Sequence, residues 1–140
     1  MDVPAKNYFK DISVGMTGDF EKQVTNEDVR SFADISGDYN PIHLDEEFAK
    51  ESVFDERIIP GILTASYISA TLGYIFPGPG WIYLNQSLQF RAPVKIGDTV
   101  TTHVEVDKCI PEKNLIELKT ECRVGDYVVL KGSATLKSPD

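Results

Sequence analysis

A long stretch without charge, residues 62–76, constrains the fold of this chain more than any other segment. Pro60 and Gly61 precede it, and proline is well placed in the first turn of a helix. Its interior, Leu-Thr-Ala-Ser-Tyr-Ile-Ser-Ala-Thr-Leu at residues 63–72, has no charge on any face. Because a helix without a polar face is usually buried on all sides, the sequence predicts a central helix with other elements packed around it.

Four predicted strands follow this helix, and they are the elements that can pack around it. Val100, Thr102, Val104 and Val106 alternate with polar side chains, which is typical of a strand with one buried face. A tight hairpin turn is predicted at residues 125–126. The predicted strands are residues 82–90, 98–110, 114–124 and 127–137. One helix followed by consecutive antiparallel strands predicts an α+β fold, with a curved sheet wrapped around a long central helix.

The first half of the chain is predicted to contain one strand and one capped helix. A short strand near residues 16–24 precedes Thr25, which fits a helix N-cap, with Asp28 three residues later as a variant of the capping box. The amphipathic helix that follows is predicted to end at Gly37. A further short helical turn is predicted to begin at Asp45, with its acidic residues in the first turn.

Residues 37–43, Gly-Asp-Tyr-Asn-Pro-Ile-His, place a carboxylate and an imidazole five residues apart. Gly37 permits an unusual backbone angle, and the proline after Asn40 keeps Asn40 out of the helical region, so that Asn40 supports the turn. We therefore expect a shaped loop that directs Asp38 and His43 toward one point. Such a pair can hold a water molecule between an acceptor and a group that titrates near neutrality.

The bulk properties fit one globular domain. At 140 residues, 41% apolar and 26% charged, the chain is predicted to form a single domain over residues 1–140. The formal net charge is -8 and the 14 basic residues form no cluster, which disfavours binding to nucleic acid or to anionic membranes. No apolar signal segment is visible at the start, and proline and glycine interrupt residues 58–82, so a membrane span is not expected.

The two cysteines are predicted to remain free thiols. A hairpin with its turn near residues 111–113 places Cys109 opposite about Leu115 and Cys122 opposite about Thr102. The two sulfur atoms would then lie roughly 20 Å apart at ~3.3 Å per residue, too far for a disulfide. Free thiols without a visible signal peptide indicate the reducing cytoplasm.

The order of these elements resembles the hot-dog fold, and residues 37–43 resemble the hydratase signature of R-specific enoyl-CoA hydratases and MaoC-like dehydratases. The resemblance continues in one colinear order through residues 61–66, 81–90 and 93–98. It implies reversible hydration of a trans-2-enoyl thioester, on coenzyme A or acyl-carrier protein, to an (R)-3-hydroxyacyl thioester. The edge strands of such a sheet predict a homodimer, and the resemblance places the site near the subunit interface.

The resemblance also implies a role for individual residues. Asp38 and His43 correspond to the family's catalytic pair, and Gly61 corresponds to its oxyanion-hole glycine. Ser69, by colinear count from Gly61, corresponds to a serine that supports the site. Family members commonly have a histidine just before the helix glycine, where this chain has Pro60. This departure bears on substrate preference more than on the type of reaction.

The implied reaction needs a base that activates water, an acid that protonates Cα and a donor for the thioester oxygen. Asp38 and His43 can supply the first two from one face, which gives syn addition. The N–H groups at a helix N-terminus can supply the third, because they favour negative charge. No metal or redox cofactor is required by this scheme. A metal site that combines His43 with the carboxylates of residues 45–47 lacks a recognised ligand spacing.

Simpler structural interpretations of the same residues remain open. Asp38 could bond its own backbone in a turn, Ser69 could satisfy a helix carbonyl, and Gly61 could be a packing glycine. His103 alternates with polar neighbours in a strand and is predicted to be an exposed structural histidine.

Two further functions also remain open. The hot-dog fold alone is not specific, because thioesterases share it, so an acyl-CoA thioesterase is one alternative. A non-catalytic subunit that binds acyl thioesters is the other. Arg91 and Lys95 are candidates for the phosphates of coenzyme A, but ordinary solvated surface fits both better.

Overall fold

The computed structural model describes residues 2–140 and contains a six-stranded antiparallel sheet. The strands are β1 (Thr17–Gln23), β2 (Ile82–Gln86), β3 (Gln89–Phe90), β4 (Thr99–Ile110), β5 (Leu115–Val124) and β6 (Tyr127–Lys137). The strand order is β1-β4-β5-β6-β2, and β3 also pairs with β6. The predicted strands are therefore present, except that the stretch 82–90 divides into two strands that both pair with β6.

The inner face of the sheet is formed by the side chains that the alternation assigned to it. Val100, Thr102, Val104 and Val106 of β4 are fully buried, and Ile116 to Cys122 of β5 alternate in the same way. Apolar side chains on one face of each strand remove their surface from water, which is the main stabilising contribution to such a core. This face packs against the long helix, which contacts β1, β4 and β5.

The register of the β4–β5 hairpin corrects one detail of the prediction. Cys122 lies opposite Thr102, as expected, but Cys109 lies opposite Ile116 and not Leu115. The reason is an irregularity between Val106 and Lys108 that shifts the pairing by one residue. Both cysteines are free thiols, and Cys122 is buried in the core.

The long helix, α4 (Gly61–Ala70), continues into a π-helical turn, Thr71–Ile75. One side of it faces the sheet and is buried. The opposite side is open within one chain, since Ile62 is 56% exposed and Ser66, Ser69 and Ala70 are exposed as well. The expectation that this helix is buried all round is therefore wrong for the single chain, because the sheet covers only one face of it. None of the helices in residues 2–140 is long and apolar enough to cross a membrane.

The shorter α-helices lie in the first half of the described residues: α1 (Asn26–Ser36), α2 (Pro41–Leu44) and α3 (Glu46–Lys50). A 3-10 turn at Phe9–Asp11 precedes β1, and another at Pro111–Lys113 connects β4 to β5. The predicted capping box of α1 is confirmed: the Asp28 N–H donates to Thr25 Oγ1, and the Thr25 N–H donates to the Asp28 carboxylate. The helix ends at Gly37, whose φ of 83° is a left-handed conformation that glycine adopts without strain.

An extended segment, residues 57–60, connects the short helices to α4. Ile58 forms an isolated bridge with Lys95, and the Ile59 N–H donates to the Val94 carbonyl at 2.8 Å. The segment is therefore fixed to the stretch that follows β3. It ends at Pro60, which caps α4.

Candidate active site

His43 lies in α2 and is only 8% exposed. Its ring atom Nδ1 is 2.8 Å from the carbonyl oxygen of Ile58. Because a carbonyl oxygen can only accept, Nδ1 must carry the hydrogen, and in the neutral ring Nε2 keeps the lone pair. The fold thus fixes one tautomer of His43 and directs Nε2 away from the segment 57–60 as the atom that can take or give a proton.

Asp38 is exposed, and only one of its carboxylate oxygens is used within the described chain. Oδ1 accepts the N–H of Asn40 at 3.2 Å, which is the turn that sequence reasoning offered as the simpler interpretation. Among residues 2–140, no group donates a hydrogen bond to Oδ2. The turn and an acid–base role are therefore compatible, because they use different oxygens.

The local sequence explains how the loop that carries Asp38 leads directly into the helical turn that carries His43. The Asn40 side chain accepts the N–H of Ile42 at 3.2 Å, and Pro41 occupies the first position of α2. Proline fits there because it has no N–H to satisfy and its φ is already helical. The loop expected over residues 37–43 therefore ends at Asn40, and His43 lies in a helical turn. Asp45 then caps α3, accepting the N–H groups of Glu47 and Phe48.

Gly61 is the first residue of α4, and the N–H groups of Gly61 and Ile62 have no acceptor among residues 2–140. The next N–H, that of Leu63, donates to the Pro60 carbonyl at 3.0 Å. Gly61 is also a packing glycine, since a β-carbon there would lie 2.6 Å from Cε1 of Phe90. The missing side chain leaves the N–H groups uncovered and lets the aromatic ring lie against the helix tip.

A largely apolar cavity of about 460 Å³ opens beside Gly61. Ile58, Gly61, Phe90 and Val94 are among the residues that line it, and Arg91 is a charged residue in its wall. Asp38 and His43 do not line it. Ile58 is the residue between the two, since its carbonyl accepts the hydrogen bond of the imidazole and the residue itself lines the cavity.

Ser69 is exposed on the open side of α4, and no hydrogen bond within residues 2–140 joins it to Asp38 or His43. Along a helix, eight residues from Gly61 correspond to ~12 Å at 1.5 Å per residue. Within one chain Ser69 is thus separate from the helix tip. Its supporting role stays a prediction.

The other charged residues singled out from the sequence lie outside this arrangement or at its border. Arg91 donates to the Gln89 side chain at 3.1 Å, and Lys95 forms an exposed ion pair with Glu56 at 3.2 Å. His103 pairs with Asp19 across two strands at 2.7 Å, with a partly exposed side chain. His103 is therefore a surface residue of the sheet.

One buried residue was missed by sequence reasoning. Arg57 is 8% exposed, and its guanidinium donates to the carbonyl of His43 at 2.7 Å and to the Asn26 side chain at 2.7 Å. The available signal was an arginine directly before the apolar run Ile-Ile-Pro-Gly, at residues 58–61. A charge in that position is buried only when it is paired.

Comparisons with known proteins show the family of the chain. Residues 11–127 match the family model described as MaoC like domain. The chain is 51% identical to the 3-hydroxybutyryl-CoA dehydratase of Methylorubrum extorquens, over 94% of this chain and 84% of that protein. It is 47% identical to the (R)-specific enoyl-CoA hydratase of Rhodospirillum rubrum, over 95% of this chain and 92% of that protein.

Solved structures give the same result at the level of the fold. The (R)-hydratase from Aeromonas caviae superposes with a TM-score of 0.89 at 40% identity, covering 91% of this chain and 98% of that one. The R-hydratase PhaJ1 from Pseudomonas aeruginosa superposes with a TM-score of 0.90 at 36% identity, covering 95% and 86%. The predicted α+β hot-dog fold is confirmed.

Proposed function

This chain belongs to the MaoC-like domain family, and from that premise we propose that it hydrates trans-2-enoyl thioesters reversibly to (R)-3-hydroxyacyl thioesters. The observation that carries the proposal is the state of His43. Its Nδ1–H donates to the Ile58 carbonyl, so Nε2 is available for proton transfer. Five residues earlier in the chain, one carboxylate oxygen of Asp38 has no donor among residues 2–140. Relatives that are 40–51% identical carry names of hydratases and a dehydratase of this type.

We assign the acid–base chemistry to Asp38 and His43. A water molecule between Asp38 Oδ2 and His43 Nε2 loses a proton to the pair as its oxygen attacks Cβ of the enoyl group. The Cα–Cβ π electrons move through Cα onto the thioester oxygen to form an enolate, and as they return the pair gives a proton to Cα. Because both the oxygen and the proton arrive from one face, the addition is syn.

We assign the stabilisation of the enolate to the N-terminus of α4. The N–H of Gly61, which has no acceptor among residues 2–140, would donate to the thioester oxygen, and the ten-residue helix adds its dipole at the same end. One such donor is typically worth ~3 kcal/mol in the transition state. The apolar cavity beside Gly61 suits an apolar portion of the thioester. Pro60, at the position where the family commonly has a histidine, directly precedes Gly61 as the N-cap residue of α4.

We further propose that the working unit is a homodimer with the site near the subunit interface. Two features support it: the open side of α4, with Ile62, and the edge strand β2, whose Ile82 and Leu84 are both exposed. An uncharged, open helix face and an unpaired sheet edge are each suited to a second copy of the chain. Light scattering at assay concentration should give twice the mass of one chain, and a monomeric, fully active protein would contradict this part of the proposal.

We also propose that the protein works in the cytoplasm. Its two thiols are free, and free thiols are characteristic of a reducing compartment. Cell fractionation should recover the protein with cytoplasmic markers, and recovery with a membrane or an exported fraction would contradict this.

The decisive experiment is the hydration of crotonyl-CoA. The absorbance of the conjugated thioester should fall, and the product should be oxidised by a dehydrogenase specific for (R)-3-hydroxyacyl-CoA but not by one specific for the (S) isomer. Release of free thiol without loss of the conjugated double bond would instead indicate a thioesterase. Tight binding of crotonyl-CoA without turnover would indicate a binding subunit. Parallel assays with the acyl-carrier-protein thioester identify the preferred carrier.

A further inference from the structure

We infer that Arg57 is the positioning residue that holds His43 in register with the tip of α4. The inference deepens the proposed hydration and rests on it for its kinetic consequence. Arg57 lies outside the sequence motif and does not line the cavity beside Gly61. Its influence on the reaction must therefore pass through His43.

The guanidinium of Arg57 joins all three short helices. Nε donates to the carbonyl oxygen of His43 in α2 at 2.7 Å, and Nη2 donates to Oδ1 of Asn26, the first residue of α1, also at 2.7 Å. Nη1 lies 3.5 Å from the carboxylate of Glu46 in α3. A planar guanidinium can satisfy three directions at once, whereas an ammonium group on a flexible stem cannot reproduce that fork.

Two consecutive residues hold His43 at two different points. The side chain of Arg57 binds the main-chain carbonyl of His43, and the main-chain carbonyl of Ile58 binds its ring. The first contact fixes where the peptide lies, and the second fixes how the imidazole is turned and which nitrogen carries the hydrogen. If the contact from Arg57 were lost, the backbone of His43 could move, and only the Ile58 carbonyl would restrain the ring.

The helix that carries His43 cannot supply this rigidity itself. Helix α2 has only four residues, and so short a helix does not persist on its own hydrogen bonds. The last carbonyls of any helix lack partners within it. The His43 carbonyl is one of these, and Arg57 is its donor.

The same segment also sets the position of the opposite half of the site. Residues 57–60 run from the guanidinium that holds His43 to the residue that caps α4. Hydrogen bonding of Ile59 to Val94 fixes the middle of the segment. The four residues of this segment thus set the distance between the imidazole and the Gly61 N–H. Arg57 fixes the His43 end of the segment. Arg57 should accordingly affect the rate of the chemical step and not the binding of the thioester.

The test uses Arg57→Gln and Arg57→Lys in the full chain, with Arg123→Gln as the matched control. Arg123 binds the Glu121 side chain on the outer face of the sheet, so the control removes a hydrogen-bonded arginine that lies elsewhere. For crotonyl-CoA hydration we expect kcat of Arg57→Gln to fall by about 100-fold, the size of effect typical of a misplaced catalytic group, with KM nearly unchanged. The kcat of Arg57→Lys should lie between that of Arg57→Gln and that of the wild type.

A second readout does not depend on activity. The chain has only two histidines, so the ¹⁵N signals of the two imidazoles are assigned by comparison with His103→Gln. In the wild type, neutral His43 should show a protonated Nδ1 and an unprotonated Nε2. In Arg57→Gln the two nitrogen signals of His43 should move toward each other as the tautomers mix, while those of His103 stay in place.

The outcomes separate the two proposals. A folded Arg57→Gln variant with the wild-type kcat and the wild-type His43 signals overturns the inference. A wild-type protein that does not hydrate crotonyl-CoA overturns the proposed function, while the imidazole signals still decide whether Arg57 positions His43. If Arg57→Gln does not fold, Arg57→Lys and Asn26→Ala replace it. The second of these removes one anchor of the guanidinium, and wild-type His43 signals in both would contradict the inference.

Discussion

Gly61 and Phe90 lie so close that a β-carbon on Gly61 would stand 2.6 Å from Cε1 and 2.8 Å from Cδ1 of the ring. These separations are far inside van der Waals contact. Phe90 belongs to β3, so this contact joins β3 to the first residue of α4, and both residues line the cavity. The glycine therefore has two functions here: it packs against the ring and leaves the N–H groups of the helix tip uncovered.

Gly61→Ala should lower kcat/KM for crotonyl-CoA by about tenfold, equal to ~1.4 kcal/mol, with little loss of stability. The added methyl must displace the ring of Phe90, which is 53% exposed and can move, so the ring enters the cavity and the fold survives. Alanine also has the better helix propensity. Adding Phe90→Ala should recover part of the activity. The control is Gly73→Ala, because a β-carbon there meets nothing within 4 Å.

Asp38→Asn and His43→Gln should each lower crotonyl-CoA hydration by about 10²–10⁴-fold, the usual contribution of an acid–base group. The amide introduced by Asp38→Asn would keep an oxygen for the Asn40 N–H, so the turn and the melting temperature should be preserved. The double variant should be scarcely worse than either single variant, because the two groups act as a unit.

The chain provides its own control for that experiment. Asp19 and His103 form a second Asp–His pair at 2.7 Å on the sheet surface. Asp19→Asn with His103→Gln should stay within about twofold of wild-type activity, as is usual for surface changes. If the two double variants lost equal activity, Asp38 and His43 would have no special role in the reaction.

The capping box of α1 should make folding stability fall in acid. The backbone bond from Thr25 is the largest cause that lowers the pKa of Asp28, with Lys22 adding to it and partial burial opposing it. A carboxyl group whose pKa is lower in the folded state stabilises the protein above its unfolded pKa, and this stabilisation disappears as the pH falls through the folded pKa. Urea unfolding from neutral pH to below about pH 4 should reveal the loss.

Asp28→Asn should remove that part of the acid dependence and cost ~0.5 kcal/mol at neutral pH, because the amide oxygen can still accept the Thr25 N–H while the negative charge at the helix N-terminus is lost. Glu27→Gln is the matched control, since Glu27 lies in the same first turn but makes no capping bond. An acid dependence that is identical in wild type and Asp28→Asn would refute the assignment.

Tyr67→Phe should stabilise the protein by ~1 kcal/mol, because the Tyr67 hydroxyl is buried without a hydrogen-bond partner among residues 2–140. Burial is the main cause that raises the pKa of this hydroxyl to about 12. The neutral phenol therefore favours the fold below its unfolded pKa, and that contribution is lost as the pH rises through the folded value. The variant should lose less stability in alkali.

Tyr83→Phe is the contrasting control for Tyr67. The Tyr83 hydroxyl donates to the Gln86 side chain, so its removal breaks a bond and should lower stability at neutral pH. Chemical unfolding of both variants measures the difference. If Tyr67→Phe destabilises the protein as much as Tyr83→Phe does, the Tyr67 hydroxyl has a partner in solution.

Local chemistry could be predicted from the sequence because it depends on neighbours along the chain. The Thr25–Asp28 capping box and the left-handed Gly37 follow from residues three to four apart, and the alternation in β4 follows from the two-residue period of a strand. The motif of residues 37–43 likewise pointed to a turn with a carboxylate and an imidazole. The capping box, the left-handed glycine and the alternation were correct because the physical constraint that produces each of them acts within a few residues. The loop expected over residues 37–43 extends only to Asn40, since residues 41–44 form α2.

The tertiary structure decided what depends on contacts between distant segments. One side of α4 is open because the sheet covers only the other side. The pairing partner of Cys109 is shifted by one residue because β4 contains an irregularity. The tautomer of His43 depends on a carbonyl fifteen residues away, and the burial of Arg57 depends on three separate helices. The sequence by itself determined which groups are present and how each turn is shaped. Only the packing of distant segments determined which nitrogen of His43 is free, since hydrogen-bond partners that are remote in the chain leave no periodic pattern in it.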